Sequence, residues 1–154
     1  MTNALNHSPA VIIQQLLIGM GFGISPPEES AWDGSDWLIF ATNEPDAPDN
    51  VITVYDIAGT DHGRIMYSGE LQQHYGFQVR IRSRTHNVGW LKADTIRRGM
   101  AEDVLRAYVA VGSDTYFLQC VANISQVLTL GKDKPMGKRS LFTVNAVSAI
   151  RKVS

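Results

Sequence analysis

The chain has one cysteine, Cys120, so no disulfide can form within it. Charge of one sign is not in excess: 14 lysines and arginines stand against 15 acidic residues, for a formal net charge of -1. That balance excludes the chain-wide positive field that drives nonspecific nucleic-acid binding. No run reaches the roughly 18 consecutive apolar residues of a membrane-spanning helix. The N-terminal residues Met1 to His7 carry no cationic segment followed by an apolar stretch, so the expectation is a chain neither exported nor embedded in a membrane. Cys120 sits in an apolar, strand-like run and is expected to be a buried, inert thiol, as suits a reducing compartment.

What is present suits one globular domain over residues 1–154, with 44% hydrophobic and 19% charged residues. Ser8-Pro9 is a helix start, a hydroxyl followed by proline at the first helical position, and Gly19, Gly21 and Gly23 are stops, which predicts a helix from about 9 to 20. Residues 24–35 read as a loop. The apolar run Trp37 to Ala41 predicts a strand, Thr42 to Asn50 a rigid acidic turn, and Val51 to Ile57 the returning strand. Residues 59–69 are polar and marked by glycine, and read as a mobile loop.

From Tyr75 the sequence alternates: Tyr75, Phe77, Val79 and Ile81 on one face, with Gln78, Arg80, Arg82 and Arg84 on the other. A second helix is predicted from about 88 to 105, with Leu91, Ile96, Met100 and Val104 on its apolar stripe and Gly99 marking a close approach. Gly112-Ser113 suits a two-residue type II′ hairpin. If Val111 faces Asp114, then Val109 faces Tyr116, Ala107 faces Leu118, and the same face continues to Cys120. Residues 126–138 read as a loop, and Leu141 to Ile150 as a last strand with Phe142, Val144, Ala146 and Ile150 inward. The fold class is α+β: a mostly antiparallel sheet of about five to six strands with two helices packed on it.

Chemistry-bearing patterns are weak. Gly19-x-Gly21-x-Gly23 ends a helix, whereas a phosphate cradle follows a strand and opens one. His62, His74 and His86 lie twelve apart with no accompanying carboxylate spacing, and read as exposed polar residues rather than metal ligands. Ser68-Gly69-Glu70 is a turn rather than a nucleophile elbow, and Cys120 has no partner base nearby. No catalytic residue, cofactor site or metal site is assigned, and an enzyme is not expected.

Arg80, Arg82 and Arg84 on one strand face are the feature that calls for an explanation, since like charges two residues apart repel unless neutralised. A solvated face, phosphate, or the acidic turn carrying Glu44, Asp46 and Asp49 on a neighbouring subunit would each answer it; arginine's planar fork binds carboxylate or phosphate in two-point fashion. A head-to-tail contact between the arginine face and that turn is heterologous and can close into a ring. These six residues are the candidate subunit interface. A DNA-binding module is the reading from another class, but the arginine face carries no aromatic for base stacking.

The stretch from Asn43 to Asp56 resembles a segment of the tail terminator or minor capsid proteins of long-tailed bacteriophages. Gln78 to Arg84 is similar to their arginine-bearing strand. The helix that follows, then Leu130-Gly131-Lys132-Asp133 and Lys138-Arg139 before a final strand, keep their order. Trp32 to Trp37 has no counterpart in that pattern. The resemblance implies a small protein of the virion, at the junction of tail and neck, assembled in the host bacterial cytoplasm. Such proteins form a ring, typically a hexamer, that stops tail-tube growth. The partners implied are other copies, the tail tube protein and a head-completion or connector protein, with genome DNA passing through the lumen without sequence-specific binding. A head-completion or connector adaptor is the alternative role.

Overall fold

The structure is a computed structural model that describes residues 4–26, 37–46, 48–64, 66–69, 71–132 and 137–153. Most of Trp32 to Trp37 and of the expected loop at 24–35 lies outside them. In chain order the elements are α1 (Pro9–Gly19), β1 (Leu38–Ala41), β2 (Val51–Arg64), β3 (Leu71–Ser83), α2 (His86–Asp103), β4 (Leu105–Val111), β5 (Asp114–Ala122), β6 (Leu128–Lys132) and β7 (Ser140–Lys152). The strands form one seven-stranded mixed sheet in the order β1-β2-β3-β7-β5-β4, with β6 also on β7. The protein is a single α+β domain with both helices against one face of the sheet.

That face is built from cross-strand rows. Ile52, Ile81 and Phe142 form one, Val54, Val79 and Val144 the next, and Phe77 and Ala146 continue the pattern. On them sit Ile12, Ile13, Leu16 and Leu17 of α1, and Ala93, Ile96 and Met100 of α2. The opposite face carries the polar rows: Val51, Arg82 and Leu141, then Thr53, Arg80 and Thr143, then Tyr55, Gln78 and Asn145.

Pro9 opens α1 as expected, and the carboxylate of Asp56 accepts from the Ala10 amide at 2.8 Å, placing negative charge at the helix N-terminus. The glycine stop takes a definite form. Gly21 has φ +87, its amide donates to Ile18, and the Phe22 amide donates to Leu17, the paired bonds of a Schellman cap.

The β4–β5 hairpin has the expected register, Val111 opposite Asp114 and Ala107 opposite Leu118. Gly112 alone of the two turn residues has positive φ, 61°, as a type II′ turn requires. Cys120, however, is exposed, not buried. β5 carries one extra residue against β7 between Leu118 and Val121, and this bulge reverses the inward–outward parity, so Val121 takes the core position.

Four further expectations are corrected. β1 and β2 are parallel, not a hairpin, pairing Leu38 with Val51 and Ala41 with Val54. Residues 59–69 belong largely to a long β2–β3 arm rather than a loop; a ribbon wetted on both faces carries no apolar alternation to betray it. β6, exposed throughout, hides in the expected loop at 126–138 for the same reason, and brings the strand number to seven. The buried positions of α2 are Gly89, Ala93, Ile96, Gly99 and Met100, while Leu91 is exposed and Leu105 belongs to β4.

Small residues thus set how closely α2 approaches the sheet. A Cβ at Gly99 would lie 2.5 Å from the Phe22 ring, and one at Gly89 would lie 2.6 Å from the Phe142 ring and 2.8 Å from Ser83 Cβ. Phe142 and Ser83 are both fully buried and cannot withdraw. Gly89→Ala is therefore expected to destabilise the protein by about 1–3 kcal/mol through overpacking, although alanine is the better helix former. Denaturant unfolding measures this, and a gain in stability would contradict the packing described.

Candidate functional site: a crossover pinned to an arginine strand

The parallel pairing of β1 and β2 dictates the site. After Ala41 the chain must travel back along the sheet before β2 can begin, and it has only residues 42–50 in which to do so. Parallel neighbours usually need a dozen or more, commonly with a helix. Thr42 starts the reversal at φ +67, with its amide donating to the Val54 carbonyl at 2.8 Å. Pro45 and Pro48 fix φ along a segment that carries Glu44, Asp46 and Asp49. The segment returns over the polar face of β2 and β3, the face that carries Arg80 and Arg82.

Arg82 is 3% exposed. Its Nη2 donates to the Pro48 carbonyl at 2.6 Å and its Nε to the Asp49 carbonyl at 3.4 Å, while Nη1 lies 3.9 Å from a Glu44 carboxylate oxygen. Arg80 Nε lies 3.8 Å from the other Glu44 oxygen. Both separations give Coulombic attraction without a close hydrogen bond, and Glu44 Oε1, Arg80 Nε and Thr53 Oγ1 have no hydrogen-bond partner among the described residues. Burial, and next the Glu44 carboxylate, push the Tyr55 hydroxyl above its ordinary range, with Arg80 opposing them. The far end of the crossover is held by Arg139, whose Nη1 donates to the Asp46 carbonyl at 2.5 Å and lies 3.7 Å from the Asp49 carboxylate; its Nη2 lies 4.0 Å from Asp46 Oδ1. The Arg84 amide donates to the Asn50 side chain at 3.0 Å.

Of the six expected interface residues, the structure brings Glu44, Arg80 and Arg82 together within one chain. The acidic segment expected on a neighbouring copy thus covers its own arginine strand. Asp46 and Asp49 lie above this layer with side chains 94% and 52% exposed, paired on their inner side with Arg139. The Arg84 side chain is exposed and, among the described residues, forms no ion pair. Arg139 is the member that sequence reasoning missed: it precedes β7 by a single residue, and only the crossover's path brings it near the acids.

The three spaced histidines do not converge. His62 and His74 meet edge to face across the arm with ring centroids 4.5 Å apart, whereas His86 packs on Phe142 at 5.1 Å. Among the described residues no group of three potential ligands could hold a metal ion. No helix of the described chain is long and apolar enough to cross a membrane.

The family model described as bacteriophage tail terminator protein matches residues 16–134. The chain belongs to the bacteriophage tail terminator family. The match runs from the second half of α1 to just past β6 and contains the crossover, the arm, the arginine strand and α2. No curated protein matches the chain. Membership makes it a structural protein of the phage tail, a component of the virion.

For this tail terminator family member the site is an anchoring device. Removing one partner of a buried, hydrogen-bonded charge set leaves the other charge uncompensated, at a cost of about 3–5 kcal/mol. Arg82→Ala is expected to lower stability by that amount. Arg84→Ala, at an exposed position, should remain within about 0.5 kcal/mol of the parent. Chemical denaturation of the two variants side by side decides; equal losses would mean that the buried arginine does not hold the crossover.

Proposed function

We propose that the chain assembles head to tail into a ring, of hexamer size by family resemblance, that caps the growing tail tube and joins it to the head or neck. The observation that carries this reading is the pinned crossover. The buried Arg82, with the partly buried Glu44 and Arg80, holds an acidic ridge in place, and Asp46, Asp49 and Arg84 stay on the surface. An anchored, outward-facing charged segment suits recognition of another copy, because like-charge mismatch rejects wrong registers and opposite charge steers the right one. The role of these six residues thereby divides: three position the surface, and three are available to a neighbour.

The charges argue against the nucleic-acid reading. Arg82 is enclosed and Arg80 lies against Glu44, so no row of three guanidiniums faces outward for phosphates. DNA would pass through the lumen of the ring without sequence-specific contacts. Nor does the pinned network resemble a reactive cleft, and we read the protein as having no enzymatic role.

The variant Asp46→Lys, at a side chain that is 94% exposed and lies 4.0 Å from Arg139, is expected to shift the assembly towards monomers in size-exclusion chromatography with light scattering, while its unfolding midpoint stays close to the parent's. An unchanged oligomer would remove the ridge from the interface. Particles made without the protein separate the two roles open to it. Tails of uncontrolled length or lacking heads support termination, whereas heads that leak DNA point to a head-completion adaptor.

A further inference from the structure

Beyond its pairing with β7, which ends at Tyr75 opposite Ser148, the β2–β3 ribbon continues without a neighbouring strand. From Ile57 to Arg64 each residue is exposed, and at 3.3 Å per residue this length projects about 25 Å. The departure point is marked by glycine. A Cβ on Gly59 would collide with the His74 carbonyl and one on Gly76 with the Ala58 carbonyl, at the first of two register shifts. At the tip, Met66 and Tyr67 are fully exposed, at 102% and 101%. Arg64, whose Nη1 closes the tip turn on the Gly69 carbonyl at 2.9 Å, has no carboxylate partner among the described residues. A two-stranded ribbon alone in water is marginally stable, and two large apolar side chains at its end add to the demand for a partner.

A complementary surface lies elsewhere on the same chain. A groove of about 340 Å3 runs between the end of α1, the end of α2 and β4, lined by Leu16, Met20, Val104, Ala107, Tyr108 and Asp103. β4 is the last strand of its side of the sheet, and Leu105 at its start is exposed. The electrostatics there call for a cation. α2 ends in Glu102 and Asp103, with no basic residue in its last turn, so two exposed carboxylates sit where the helix dipole is itself negative. Among the described residues no cation pairs with either.

We propose that the arm tip of one copy docks in this groove of the next, with Met66 and Tyr67 against its apolar wall and Arg64 facing Asp103 and Glu102. The occupant is a second copy because charge and apolarity match within one sequence. The pocket at the base of the arm includes Pro9, whereas the groove includes Gly19 and Met20, so the arm departs from the end of α1 opposite to the groove. Distinct surfaces make a heterologous contact, which propagates from copy to copy and closes when the rotation allows. The proposal rests on the ring reading above and assigns the element that links its subunits.

Disulfide trapping tests it in the full chain. In a Cys120→Ser background, Tyr67→Cys combined with Gln15→Cys places thiols at the tip and on the α1 wall of the groove, at positions that are exposed and partly exposed. Under oxidation the double variant is expected to give a ladder of covalent multimers up to the size of the assembly measured by light scattering, with each single variant giving dimers at most. A ring-sized assembly without a ladder would overturn the docking while sparing the ring. Covalent dimers alone from the double variant would mean two-fold exchange and would also overturn it. Cross-linking of the tip to purified tail tubes, without a ladder, would assign the arm to the tube instead. Monomers at all concentrations and on tubes would sink docking and ring together.

Discussion

One guanidinium enclosed among backbone carbonyls governs this structure. Without Arg82 bound to the carbonyls of Pro48 and Asp49, the short return between two parallel strands would lay polar backbone across a sheet face with nothing to hold it. The charge so buried needs its own compensation, and Glu44 supplies it to Arg82 and Arg80 together. Arginine suits this position better than lysine. Its planar fork offers several donors in fixed directions, enough to address two carbonyls and a carboxylate at once. The same pairing supports the topology: β1, a strand of four residues, is held against β2 by the tied crossover on one side and by the Ile24 bridge and the Gln14 side chain on the other.

Much of the fold was legible because burial on one face writes itself into the sequence. β3 and β7 alternate, and the β4–β5 hairpin announced both its turn and its register. The illegible parts share physical causes. Two apolar runs either side of a proline-rich acidic segment read as a hairpin, since parallel and antiparallel pairing of short buried strands demand the same side chains. Cys120 was misplaced because one extra residue in β5 inverts every later position, and a bulge leaves no mark in composition. The arm and β6 bury little, so they have no pattern to show. In α2 the packed face consists of glycine and alanine at 89, 93 and 99 as much as of large residues, and an apolar count passes over them.

For the candidate site the sequence offered a set of charged residues but not their geometry. Six charged residues stood out, and the like-charge argument looked for a counter-charge for Arg80 and Arg82, which Glu44 of the same chain provides. What it could not provide was the chain that supplies this charge. Sequence separation is a poor guide here: Glu44 and Arg80 are far apart in order, yet the crossover sets them on the same face. Arg139 shows the point from the other side, since it joins the acids from just before β7, beyond the end of the family match at 134. The matched region therefore contains the crossover and its principal anchors, while β7, the strand that the sheet is built around, and the clamp that precedes it lie further on.

Charges that fold a protein and charges that recognise a partner can be told apart by what opposes them. Glu44, Arg80 and Arg82 have opposite charge within reach, and Arg82 is almost out of water. Arg64 at the arm tip and Glu102 and Asp103 at the end of α2 are exposed and, among the described residues, have no ion-pair partner, and the two acids also oppose the dipole of their own helix. Among the described residues nothing compensates those acids or covers the methionine and tyrosine at the end of the ribbon. Taken together as two halves of one contact, the same features become mutually favourable: apolar tip with apolar groove, cation with helix C-terminus. In the proposed docking the two halves are distinct surfaces, so a copy that uses one of them still presents the other, which is the condition for a heterologous contact to close into a ring.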